Sequence, residues 1–460
     1  VGMLCDALAR NADAKQIPAV EKALSESARA NDLEMVRMLL GRAKPLQKGL
    51  DTSLVFAATH GNLEMARLLI DAGASRQSSQ PTNYGTPASP VLASTYAEST
   101  NPEVVALMLE EPFDFTTKER HGKTAWIMAC ERRDGQIVRL VEKAGGGDEG
   151  SSSKDGDQQS DPSLAVRPEH AGKVSRPMIQ KSIGLLQSAG PIFFAKSGCV
   201  ACHQQTASQL VVAAARPLDF EIDDQILRQQ VKMTAVELAK KRASFLQRIK
   251  SGGAAHRFGY LLWGLSESGY EPDEYTDATY HELVGLQRAD GSWFSDAHRP
   301  PTEYSPVSAT AVALRAVKHY APPGLADSSR QRVERATNWL ESQSADLNAE
   351  KAFRLLGLHW GGAEADVTRR AAENLLAEQN EDGGWAQTPH LDSDAYATGL
   401  SLFALVESGS IGPEDAAYVN GRDFLLRDAK QDGSWHVESR SFKFQPYFES
   451  GFPHGDDQWI

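Results

Sequence analysis

The chain has only four cysteines in 460 residues, an excess of acid over base, and no long apolar run. Each shortage excludes something. Cys5 and Cys130 lie in the N-terminal third, so only Cys199 and Cys202 serve the rest, and a four-thiolate metal site there is ruled out. A net charge of −13 argues against nucleic acid as the main partner, because a phosphate backbone needs a basic face. No apolar run approaches the roughly 18 residues of a membrane-spanning helix. Val1 is not an initiator, no basic-then-apolar signal segment follows it, and the chain stops at "GDDQWI"; a fragment of a longer protein is expected. An apolar content of 41% and a charged content of 24% are ordinary for globular protein, and the length argues for more than one core.

Repetition organises the first third. "NDLEMVRMLL" (31–40) returns as "GNLEMARLLI" (61–70), "NPEVVALML" (101–109) and "DGQIVRLVE" (134–142), at spacings of roughly 30 to 40 residues. Between them stand "TSLVFAATHG" (52–61) and "HGKTAWIMAC" (121–130). The pattern predicts helix pairs that bury their apolar faces by stacking. Asn62 and Asn101 are expected N-caps, and Gly61 and Gly73 helix stops. These units resemble ankyrin repeats over 1–146, with Thr52–Ser53–Leu54 and Lys123–Thr124–Ala125 standing where that family has T-P-L. The resemblance implies a protein-docking surface. Residues 147–177 are Gly, Ser, Asp and Pro with few apolar side chains, and a flexible linker is expected.

From Met178 onward helical patterns dominate: a long helix is expected over 223–253, and very apolar patterns such as 256–269, 306–320 and 393–409 alternate with striped, charged ones such as 329–343 and 366–379. The alternation predicts inner and outer helical layers. "LQRADGSW" (286–293), "EQNEDGGW" (378–385) and "DAKQDGSW" (428–435) punctuate the outer helices; Gln287 and Gln379 precede the Gly of G-x-W by one helical turn, and Ala429 takes that slot in the third. These turns resemble the QW motifs of the squalene-cyclase and prenyltransferase superfamily. That implies an incomplete α/α toroid over 221–460, and an all-α chain overall. Cyclases of this kind protonate an alkene with an Asp in a D-x-D-D box. "LDSDAYATG" (391–399) offers Asp394 in the acid's place, with Ala395 replacing the last Asp. Asp392, Ser393 or Asp394 also suits a helix cap. The zinc chemistry of protein prenyltransferases is not expected, because no cysteine follows Cys202.

"SGCVACHQQ" (197–205) carries the sharpest signal: Cys199 and Cys202 two residues apart, then His203. A structural zinc site wants four N or S ligands, and only distant histidines remain to complete it. A redox dithiol wants a βαβ setting, and these surroundings read as helical. Covalent haem c needs two thioether-forming cysteines and an adjacent iron ligand on one turn, which this spacing supplies. Chance gives such a motif about once in a thousand chains of this composition. "PIFFAKSGCVACH" (191–203) also resembles c-type cytochrome sequence. The segment 178–220 is therefore expected to attach haem c through Cys199 and Cys202, with His203 as the proximal ligand. Met178 and Met233 are candidate distal ligands, but His298, in "AHRPPTEYS" (297–305), ranks first and His454, in "GFPHGDD" (451–457), second, with an open site next. Haem attachment implies a periplasmic or extracellular location. The resulting expectation is a haem c protein that transfers electrons or senses a ligand, docking a protein partner through the N-terminal stack. A terpenoid cyclase-like enzyme using Asp394, or a scaffold without catalysis, stands as the alternative.

Overall fold

The computed structural model describes residues 17–42, 45–78, 89–95, 101–118, 124–131, 135–146, 171–197, 200, 202–249, 251–295, 301–389, 391–437 and 458–459. Among the described residues the fold is all-α, and the strands are two residues long. The chain divides into two compact units, the first carrying Val1–Gly156 and the second most of the rest.

The first unit holds α1 (Ile17–Arg29), α2 (Leu33–Arg42), α3 (Gln47–Thr59), α4 (Leu63–Asp71), α5 (Pro90–Thr95), α6 (Pro102–Met108), α7 (Ala125–Glu131) and α8 (Gly135–Lys143). The four recurring segments are α2, α4, α6 and α8. Each helix packs on its partner and on the equivalent helix of the next pair. The joints repeat. Asn31 and Gly61 both take left-handed backbone, with φ of 53° and 63°, and so turn the chain between helices. Asp32 and Asn62 then cap α2 and α4, accepting from the Met35 and Met65 amides at 3.0 and 2.9 Å. Asn101 caps α6 in the same manner. Polar rungs tie neighbouring pairs: His60 Nε2 lies 2.9 Å from the Arg29 carbonyl, and the Asn101 amide donates to the Gly61 carbonyl at 3.0 Å. Leu24, Leu54, Phe56, Met65, Leu69 and Leu92 fill the core.

The second unit alternates two helix types. The outer set is α9 (Ala171–Ser197), α11 (Asp224–Leu246), α13 (Glu274–Leu286), α15 (Ala326–Ser342), α17 (Ala365–Leu376) and α19 (Ala416–Asp428). The inner set is α10 (Cys202–Ala215), α12 (Ala254–Glu267), α14 (Pro306–His319), α16 (Asn348–Gly361) and α18 (Ala395–Glu407). α12, α14 and α16 are buried along most of their length, whereas α15 and α17 bury a stripe. Successive inner helices run parallel. Thr206 meets Tyr260 and Gln209 meets Gly264; His256 meets Ser308 and Gly259 meets Val312; Ala311 meets Gly357 and Lys318 meets Trp360; Asn348 meets Ser401 and Trp360 meets Glu407. All five therefore begin at one end of the layer.

The three G-x-W turns share one construction. Asp290, Asp382 and Asp432 each accept the backbone N–H two residues on, at 2.9 to 3.0 Å. The indole N–H of Trp293, Trp385 and Trp435 donates to the carbonyl of Leu283, Leu375 and Leu425, at 2.7 to 2.8 Å. The glycines take φ of 97°, 91° and 89° and touch the next outer helix so closely that a Cβ has no room. Gly291 abuts α15, Gly383 abuts α19, and Gly433 abuts α9. The last contact joins the end of the layer to its start: Ser182 Oγ donates to the Gly433 carbonyl at 2.5 Å.

Three local features depart from the sequence reading. α9 begins at Ala171, inside the stretch assigned to the linker; Arg176 donates to the Leu218 and Asp219 carbonyls and lies over the Phe220 ring. The helix expected over 223–253 stops at Leu246, because Arg248 turns left-handed, and Gly253 instead opens α12. The inner helix α16 had no counterpart among the expected helices.

Candidate functional site

The C-x-x-C-H motif lies at the hairpin between α9 and α10. Cys199 is outside the described residues. Val200 is buried in the main core, Cys202 is the first residue of α10, and His203 is the second. The motif therefore opens the first inner helix, at the end where α12, α14, α16 and α18 also begin. Thr206 Oγ1 donates to the Tyr260 carbonyl at 2.6 Å and fixes α10 against α12.

Positions 202, 205 and 209 fall on one face of α10 by helical spacing. Gln205 and Gln209 are fully buried. Among the described residues, neither amide atom of Gln205 has a hydrogen-bond partner, and neither has Gln209 Nε2. The neighbouring polar groups are already committed: Ser208 Oγ donates to Gln230 Oε1, and Gln230 Nε2 donates to the Gln187 carbonyl, each at 3.0 Å. Buried amides are ordinarily satisfied, so three open atoms on the face below Cys202 single this region out.

A second polar group gathers where the other inner helices begin. His256, on the first turn of α12, is buried; its Nε2 lies 2.8 Å from Ser308 Oγ and its Nδ1 lies 3.3 Å from Ser295 Oγ. Ser308 Oγ donates to the Ser305 carbonyl at 3.0 Å, so its proton is committed. His256 Nε2–H therefore donates to Ser308, and Nδ1 accepts from Ser295. Ser305 caps α14 and donates from Oγ to Glu350 Oε1 at 2.8 Å. Glu350 reaches back to the Asp346 and Leu347 amides, as in half of a capping box. Burial pushes its carboxyl above the usual range, opposed by the Ser305 hydroxyl and those amides.

Other candidates separate. Asp394 Oδ1 accepts from the Ala397 amide at 2.9 Å and caps α18, while Asp392 is exposed. Met178 and Met233 are buried on α9 and α11. His298 and His454, like His390, lie outside the described residues. His256 sits inside a helix between two hydroxyls, and the flanking Ser295 and Ser308 are distant in sequence and give no local signal. Thr302, Glu303 and Ser305 of the "AHRPPTEYS" loop are likewise buried.

Aromatic side chains run along the inner layer from its middle to the end where the helices stop. Trp263 of α12 packs edge-on to Trp360 of α16 at 4.9 Å between centroids, and lies 5.9 Å from Phe403 of α18. Tyr260 stacks 6.3 Å from Trp263 and meets Phe353 at the same distance. Arg315 sits over both indoles and pairs with Glu267.

Among the described residues, no helix is long and apolar enough to cross a membrane, and no three His, Cys, Asp or Glu side chains are grouped to hold a metal ion. Neither a protein-family model nor a curated protein matches the chain.

Proposed function

We propose that the chain is an extracytoplasmic c-type haem protein for electron transfer or ligand sensing. The observation that carries this is the C-x-x-C-H motif opening α10 at its first residue. Cys199 and Cys202 would form the thioethers, and His203 would bind the iron. When bound, the haem supplies one-electron chemistry or an iron-centred ligand site. The residues fit such a group: Cys202 and His203 open α10, Cys199 stands three positions earlier in the sequence, and α10 carries buried amides with unused donors and an acceptor among the described residues. Gln205 and Gln209 would hydrogen-bond the group or waters beside it. His298 and His454 are the proposed distal ligands. The stacked pairs α1–α8 are read as ankyrin repeats that dock a protein partner. The alternating layers and their Gln–Trp turns are read as an α/α toroid.

The terpenoid cyclase-like reading has less support. Asp394 serves as a helix cap, and Ala395 stands where the last Asp of the box would be. No observation favours a catalytic role over a scaffold for the remaining surface.

The test is the protein from its native source, or from a host with haem c maturation. Denatured protein should retain its visible absorption through acid–acetone extraction, and Cys199→Ser with Cys202→Ser should abolish it. Colourless protein under these conditions ends the reading.

A further inference from the structure

We infer that Trp360 is a redox-active residue: it loses an electron together with its indole proton, and Glu407 accepts that proton. Trp360 is buried on the last turn of α16, and its Nε1–H donates to Glu407 Oε1 at 3.1 Å. Glu407 ends α18 and is exposed, so a proton placed on it reaches solvent. The Arg315 guanidinium lies 5.0 Å from the Trp360 ring centre and 5.4 Å from that of Trp263. A fixed positive charge over both rings opposes an indole radical cation. Oxidation that also releases the proton avoids adding a second positive charge. Only Trp360 of this pair has a carboxylate on its N–H among the described contacts, so the electron hole comes to rest there.

The step balances simply. A one-electron oxidant of high potential, such as one derived from a peroxide, takes an electron from the indole. The Nε1–H bond breaks, the proton passes to Glu407 Oε1, and a neutral indolyl radical stays on Trp360. A one-electron reductant and the returning proton restore the residue.

Trp360 also ends a file of rings. His256, Tyr260 and Trp263 stack along α12 at 6.3 Å intervals, and Trp263 meets Trp360 at 4.9 Å. The Tyr260 carbonyl is held by Thr206, one turn beyond Cys202 on α10. The file thus runs from the level of the C-x-x-C-H turn to the opposite end of the inner layer. Its use as the electron route for a group bound at that turn rests on the preceding proposal; the chemistry at Trp360 does not.

The experiment uses the full chain made without haem, a photogenerated ruthenium(III) polypyridyl complex as oxidant, and freeze-quenched electron paramagnetic resonance. A neutral tryptophan radical is expected. Trp360→Phe should reduce its yield at least tenfold, while Trp339→Phe, at a partly buried indole on α15, leaves it unchanged. Glu407→Gln, a surface change that spares the core, should remove the neutral radical signature. An unchanged neutral radical in either Trp360→Phe or Glu407→Gln overturns the inference. In haem-loaded protein treated with peroxide, Trp263→Phe should slow radical formation at Trp360 at least tenfold; an unchanged rate overturns the route alone. Absence of covalent haem would overturn the haem reading and leave the haem-free result standing.

Discussion

The two units are both built from paired helices, yet they close their cores differently. In the first, each pair contacts its neighbours, and the rungs His60–Arg29 and Asn101–Gly61 link adjacent pairs only. In the second, the last G-x-W turn packs on the first outer helix, with Gly433 against Lys181 and Ser182. A stack held by neighbours loses stability locally, because each interface is nearly independent. A layer joined end to end ties a contact spanning some 250 residues to every contact between. The comparison teaches that one motif, a turn with Gly and Trp, carries both local and global information. Its Trp bonds the preceding helix, and its Gly accepts the next one.

The largest effect should come from Trp293→Ala. The indole is fully buried, and its N–H holds the Leu283 carbonyl. A loss of about 3–5 kcal/mol is expected from the second unit. Chemical denaturation followed by tryptophan fluorescence should show that transition moving while the first unit's transition stays in place. Coincident movement of both would mean that the units unfold together.

Leu54→Ala probes the stack. Leu54 is fully buried on α3, and about 2–5 kcal/mol should be lost from the first unit. Hydrogen exchange should quicken in α1 to α6 and leave α12 to α18 protected. Quickening in the inner layer would break the proposed independence.

Gly433→Ala tests closure. The residue has φ of 89°, and a Cβ would lie 2.7 Å from the Ser182 amide nitrogen. Strain and lost packing should cost about 1–3 kcal/mol. Amides of α9 should exchange faster than those of α14. Equal change in both would say that closure is not a separate weak point.

Gln287→Ala should cost about 1–2 kcal/mol. Its amide donates to the Gly291 and Arg332 carbonyls at 3.0 and 2.9 Å, leaving both without that donor when removed. Gln379→Ala should match it, since Gln379 donates to Gly383 and Ala417 at 2.8 and 2.9 Å. Unequal losses would show that the two turns are not equivalent.

The smallest effect concerns pH. Burial raises the Glu350 carboxyl above its ordinary value, so the folded state holds this proton to higher pH than the unfolded state. Stability should therefore fall as pH rises through that interval, and level off above it. Comparing urea midpoints of wild type and Glu350→Gln isolates this residue from the other carboxylates. The difference should change in that interval alone, and a flat difference would remove Glu350 from the account.

Much of the architecture was legible from sequence because helix ends are local. Asn62 and Asn101 cap, and Gly61 and Gly73 take positive φ at helix ends, as their positions suggested. The C-x-x-C-H motif was legible too, as a string of residue types. Other features were not. Arg248 stops α11 with a positive φ that no turn residue announces. α16 does not stand out in the sequence because Lys351, Arg354 and His359 interrupt its apolar residues; His359 is exposed, and Lys351 pairs with Glu378. Arg354 donates to the Leu340 and Glu341 carbonyls at the end of α15.

What the sequence alone determined is most of the helices, their two classes, and the residue types available at Cys199, Cys202 and His203. Periodicity, caps and glycines act over one or two turns, so no distant residue is needed to read them. Tertiary structure alone decided which helices became neighbours. It set the level of α10 against α12 through Thr206 and Tyr260. It buried His256 between two serines, left the Gln205 amide open, and brought Trp263, Trp360 and Arg315 together from three helices. Those juxtapositions arise from packing between segments far apart in the chain, where no local pattern records the partner.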